Sequence, residues 1–167
     1  MKALLFAAIA AAVGTNEVVQ TDACAANAEE VLVASKPKAN PDVEHLLLEQ
    51  GVNYNVDRDG DFELSLETDK GRHQVVHIFS EMCEFDGYEQ IHIYSVAYRG
   101  KLTKPMLMEL LVSKHRIGNW HIAQDGSTVF TARVAKTITP KDFENCLHAV
   151  ADWADAKEEE WTDGDEW

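Results

Sequence analysis

Cations are scarce in this sequence: 15 Lys and Arg stand against 29 Asp and Glu, a formal net charge of −14. The imbalance excludes a phosphate-backbone partner, which is held by clustered Lys and Arg that release counterions, and it disfavours an anionic lipid surface. Cysteine is equally sparse. Cys24, Cys83 and Cys146 have neither CxxC spacing nor the number of a disulfide scaffold. No apolar run approaches the roughly 20 residues of a membrane-spanning helix, so an integral membrane protein is not expected. Also missing are a G-x-S-x-G elbow, an H-E-x-x-H pair, a P-loop and a G-x-G-x-x-G turn. An enzyme is therefore not expected, and no catalytic, cofactor-binding or metal-ligating residue is assigned.

What is present begins with an export-like N-terminus. Met1 and Lys2 precede an apolar run over residues 3–13, the length of a signal-peptide h-region, and small-x-small triplets follow at Ala10-Ala11-Ala12, Ala23-Cys24-Ala25 and Ala26-Asn27-Ala28. Residues 1–25 are expected to be a signal peptide, which implies a periplasmic or secreted protein. A cytoplasmic N-terminus is the alternative. Residues 26–39, rich in Ala, Glu, Lys and Pro, read as a linker; residues 40–157 form the domain, and 158–167 an acidic tail carrying Trp161 and Trp167.

Inside the domain, Asn40 and Pro41 open a first helix with the stripe Val43, Leu46, Leu47, and Gly51 ends it. An antiparallel meander follows over residues 52–56, 62–67, 72–79 and 90–98, with a turn at Asp59-Gly60 and a wide acidic loop before the last strand. Phe62, Leu64 and Leu66 alternate with Glu63, Ser65 and Glu67, so one sheet face meets a core and the other meets water. Asp57-Arg58-Asp59-Gly60-Asp61 lacks the Gly and Glu spacing of a calcium loop and reads as a hairpin turn. A second helix is expected from Thr103 to Gly118, burying Leu107, Leu110, Leu111 and Ile117, with Lys114, His115 and Arg116 complementing its C-terminal dipole. A second hairpin over 119–123 and 127–134 should turn Trp120 and Ile122 inward. The last helix, opened by Thr139-Pro140, carries the buried stripe Phe143, Cys146, Leu147, Val150, Trp153 and frays near Lys157.

His73 and His77 share a strand face that His92 could approach, but at i and i+4 they stand roughly 13 Å apart and cannot hold one ion without a bend. Cys83 and Cys146 would pair only if export and geometry both allowed it.

The order helix, three or four strands, helix, two strands, helix is carried by Gly51-Val52-Asn53-Tyr54-Asn55-Val56-Asp57, Asp59-Gly60-Asp61-Phe62, Gly118-Asn119-Trp120-His121-Ile122, Asp125-Gly126 and Thr139-Pro140-Lys141-Asp142-Phe143. Over about residues 41–157 this resembles the YbjN-domain family, bacterial proteins labelled sensory-transduction regulators whose fold is similar to that of type III secretion chaperones. The resemblance implies an α+β domain with helices against one face of an antiparallel sheet. It also implies a non-enzymatic, chaperone-like binding role, since the secretion chaperones are small acidic dimers that hold unfolded stretches of client proteins. The expected partner is thus a protein or peptide, with a homodimer in view and no cofactor. Tyr94 and Tyr98 are the candidate anchors, or else core residues. The alternative is an exported ligand- or metal-binding domain using His and carboxylates on the open sheet face.

Overall fold

Strand alternation sets the frame. The computed structural model describes residues 38–162, so the expected signal peptide, most of the linker, Cys24 and Trp167 lie outside the described residues. Phe62, Leu64 and Leu66 are buried and their neighbours Glu63, Ser65 and Glu67 exposed along β2 (Phe62–Glu67), which pairs with β3 (His73–Ile78) and, on its outer edge, with the two-residue β1 (Asn55–Val56). The Asp57 carboxylate accepts the backbone N–H groups of Asp59 and Asp61 and closes the turn between β1 and β2. β1 is shorter than the expected 52–56, because Val52 and Tyr54 pack on the core instead of pairing.

The acidic loop is not wholly a loop. Cys83–Phe85 forms β4, which turns back at Asp86-Gly87 to pair with β5 (Tyr88–Tyr98). Both turn residues have positive φ, the conformation a tight hairpin requires. β5 pairs with β3 on one side and with β7 (Thr128–Ala135) on the other, and β6 (Asn119–Ile122) closes the far edge. The result is a seven-stranded antiparallel sheet in the order β1-β2-β3-β5-β7-β6, with β4 beside β5. The fold is α+β, as the patterning predicts.

One face of the sheet is covered by α1 (Pro41–Glu49) and α3 (Pro140–Thr162). Asn40 caps α1 by accepting the Asp42 N–H, and it also bonds Ser80, whose N–H reaches the Asp61 carboxylate. The helix start is thereby tied to the β1–β2 hairpin. Phe143, Cys146, Leu147 and Val150 of α3 are buried as expected, but the stripe continues through Ala151, Ala154, Asp155 and Glu158 rather than Trp153. α3 also runs past Lys157 to Thr162, where fraying was expected. Its acidic end is held by cations from the β2–β3 turn: Arg72 pairs with Asp155 and Glu159, and Lys70 with Glu159.

Two further expectations are corrected, those on Ile122 and on the second helix, and the open question of the cysteines is answered. Ile122 stays exposed although it shares a strand face with Trp120, which packs on Phe130. Cys83 on β4 and Cys146 inside the core are both free, and burial pushes the Cys146 thiol up to about 11. The second helix, α2 (Lys104–Val112), stops six residues before Gly118 and fully buries none of its side chains, Met106, Leu107 and Leu110 being half-buried. Ser113 ends it: its backbone is extended, and its hydroxyl donates to the Leu110 carbonyl in place of a further helical turn. Lys114, His115 and Arg116 consequently lie beyond the helix and do not neutralise its dipole. Gly118, with φ +77°, instead permits a close approach to β7, since a Cβ there would meet the Thr131 carbonyl at 2.3 Å.

Candidate functional site

Two surfaces stand out, on opposite sides of the sheet. The first is the sheet face that α1 and α3 leave uncovered. Side chains two apart on a strand share a face, so His77 and Phe79 project there from β3 and its end, and His92, Tyr94 and Val96 from β5. Pairing of His77 with Tyr94, and a hydrogen bond from Phe79 N–H to the His92 carbonyl, bring these rings together. His77 and Tyr94 stack at 4.9 Å with planes 16° apart, Tyr94 and Phe79 at 5.2 Å and 30°, and Phe79 and His92 at 4.9 Å and 43°. Four half-buried rings thus stack on one another in a continuous row across two strands, the platform of this face.

The platform floors a groove of about 940 Å³, walled by Thr131 and Arg133 of β7 and His121 of β6, with Arg99 and the Asp125 turn together at one end. His92 lies across from Arg133, and Tyr94 across from Thr131. Thr131 donates its hydroxyl to the Ile93 carbonyl, so toward His92 Nε2, 2.5 Å away, it is the acceptor. That bond places the proton of the neutral ring on Nε2. Burial lowers the pKa of both platform histidines; Arg133 and His121 lower His92 further, whereas Glu63, Asp57 and Asp61 oppose the shift at His77. Burial raises the Tyr94 phenol, as do Asp61, Asp57 and Asp125. The platform is therefore uncharged near neutral pH, with Asp57, Asp61, Glu63 and Arg99 around its His77 end and Arg133 and His121 beside His92.

Of the residues singled out from the sequence, the structure brings His77, His92 and Tyr94 to this face. His73 stands exposed at the start of β3. No group of three or more His, Cys, Asp or Glu side chains is placed to hold a metal ion among the described residues. Tyr98 separates from Tyr94, because a register shift after Val96 turns it toward the helices, where it meets Trp161 of α3 edge-on at 5.5 Å. Phe79 shares the strand face of His77 as alternation implies, whereas Thr131 and Arg133 were not foreseen. Their signal is alternation on three strands at once, which becomes visible only when the register is known.

The second surface is α2. Its residues 104–112 include only Lys104 and Glu109 as charged groups, yet Leu111 is 78% exposed, Val112 67% and Met108 51%. Glu109 pairs with Lys157 of α3, and Trp153, one turn earlier on α3, is 45% exposed. Trp153 also meets His115 at 4.3 Å, in a cluster with Trp120 and Phe130. His115, expected to serve the helix dipole, instead accepts the Trp120 indole N–H at 3.0 Å. Lys101, Lys104, Lys114 and Arg116 flank α2 and are all exposed.

No protein-family model matches the chain, and no curated protein matches it.

Proposed function

We propose that the chain is a non-enzymatic, chaperone-like protein-interaction module of the YbjN kind, exported and regulatory in its setting, in which α2 docks against a second copy. The observation that carries this reading is the unburied state of α2. A nine-residue helix is too short to hold itself together in water, and one that is apolar on nearly every side is ordinarily buried. The flanking Lys101, Lys104, Lys114 and Arg116 favour an acidic neighbour, and a second copy of this chain, at −14, supplies one. The resemblance to small acidic dimers points the same way. Client segments then bind as apolar stretches alongside the docked helix.

Native mass spectrometry of the full chain purified gently from its own cells tests this, with Leu111→Asp/Val112→Asp as the comparison. The wild type should weigh twice one chain. The variant, which places two carboxylates in the contact, should dissociate at least roughly a hundredfold more readily with its circular dichroism unchanged. A wild type that stays single and carries nothing at tens of micromolar sinks the reading. The same spectrum weighs the mature N-terminus: a mass short by the leader establishes export, and a full-length mass restores the cytoplasmic alternative.

A further inference from the structure

We propose that the surface of the second copy met by α2 is the tip of the β4–β5 hairpin, with Phe85 and Tyr88 of one chain seated on Met108, Leu111 and Val112 of the other. The inference rests on the docking of α2 against a second copy and names the other half of that contact.

The four most exposed large apolar side chains among the described residues fall in two places: Leu111 and Val112 on α2, and Phe85 and Tyr88, each 69% exposed, at the hairpin tip. Phe85 and Tyr88 pair across the Asp86-Gly87 turn and so share one face of the ribbon. Neither makes a ring contact among the described residues, so both rings are open to a partner. Tyr88 pairs with β4 alone, and the tip stands beyond the last β5–β7 pair, Gln90 with Ala135. Aromatic anchors of this kind carry most of the energy of protein interfaces when an apolar surface receives them.

Charge makes the same match. Glu84 stands opposite Glu89, a like-charged cross-strand pair that disfavours the hairpin by itself, and Lys136 bridges only Glu89. Glu81, Glu84 and Asp86 are exposed and make no ion pair among the described residues. Lys101, Lys104, Lys114 and Arg116 around α2 make none either, although carboxylates outnumber cations by 29 to 15. An acidic aromatic tip thus complements an apolar helix with a basic rim. The tip does not serve the α2 of its own chain. It stands at the Tyr88 end of β5, whereas α2 follows the Tyr98 end and is tied by Glu109 to Lys157 late in α3, and the eleven residues of β5 span roughly 35 Å. Two chains laid antiparallel each give one tip and receive one, so the assembly closes at two copies.

Sedimentation equilibrium of the full chain compares the wild type with Phe85→Ser/Tyr88→Ser and with Leu111→Asp/Val112→Asp. The tip variant should keep the circular dichroism of the wild type and dissociate about a hundredfold more readily. Mixing the two variants should restore a pair about tenfold tighter than either forms with itself, because the intact tip of one chain meets the intact α2 of the other. A pairing of α2 with α2 gives no such rescue. In a second measurement, p-benzoylphenylalanine replaces Tyr88 and is irradiated; its cross-links should fall on residues 104–112 of the second chain. A tip variant that pairs as tightly as the wild type, a mixture without rescue, or cross-links confined to other segments overturns the assignment while the docking of α2 stands. A wild type that stays single overturns both.

Discussion

Arg72 and Lys136 each bridge two carboxylates, and burial separates their worth. Arg72 Nε donates to Asp155 at 2.7 Å and Nη2 to the Asp155 carbonyl at 3.1 Å, while Nη1 meets Glu159 at 3.0 Å. Asp155 is buried, with Thr68 donating to its second oxygen, and these bonds raise the guanidinium pKa above its already high value. Removing Arg72 strands a carboxylate in the core, whereas Lys136 joins Asp42 and Glu89 in water, where screening and side-chain entropy consume most of the attraction. Arg72→Ala should therefore cost about 3 kcal/mol in urea unfolding, and Lys136→Ala less than about 1 kcal/mol. Equal costs would show that Asp155 is satisfied without its cation.

At the scale of elements, those whose hydrophobic period has a place to be spent inside one chain were legible in the sequence. β2 falls on residues 62–67 as its alternation predicts, and α1 lies between its Asn40 cap and Gly51. α2 was legible as a helix but not in its fate, because an apolar stripe predicts burial without saying whether the covering surface belongs to the same molecule. The end of α3 was misread for a related reason: helix propensity and dipole argue against the run Glu158, Glu159, Glu160, and only contacts distant in sequence offset them. One of these is Trp161, set edge-on to Tyr98 with the Lys157 ammonium 5.1 Å from its ring centre. Trp161→Ala should cost about 1 to 2 kcal/mol and raise hydrogen exchange in the last turn of α3. A free acidic tail would show neither effect. The groove was the least legible feature: no local pattern reveals that rings on β3 and β5 will face an arginine on β7, nor that the shift after Val96 will send Tyr98 to the other side.

Charge and burial together set how the whole molecule responds to acid. His77, His92 and His115 all have pKa values lowered from 6.5, chiefly by burial, and Lys157 adds to the shift at His115. The unfolded chain therefore binds more protons than the folded one just below pH 6.5. Stability contributed by the neutral rings is whole above that value and is lost as pH falls through the folded pKa values. Glu159, held below 4.5 by Lys70 and Arg72, keeps its contribution until lower pH, so the span from pH 7 to 5 reports mainly on histidine. His115 is the informative position. Its Nε2 accepts the Trp120 N–H, so protonation removes that acceptor and places a cation among Trp120, Phe130 and Trp153 with Lys157 nearby. His115→Phe keeps a ring in the cluster and costs a pH-independent amount for the unpartnered indole, while the groups common to both chains cancel in the comparison. Urea unfolding between pH 7 and 5 should accordingly show a shallower loss of stability in His115→Phe than in the wild type. Parallel losses would mean that His115 titrates alike in the folded and unfolded chains and that its aromatic enclosure exerts no hold on its charge.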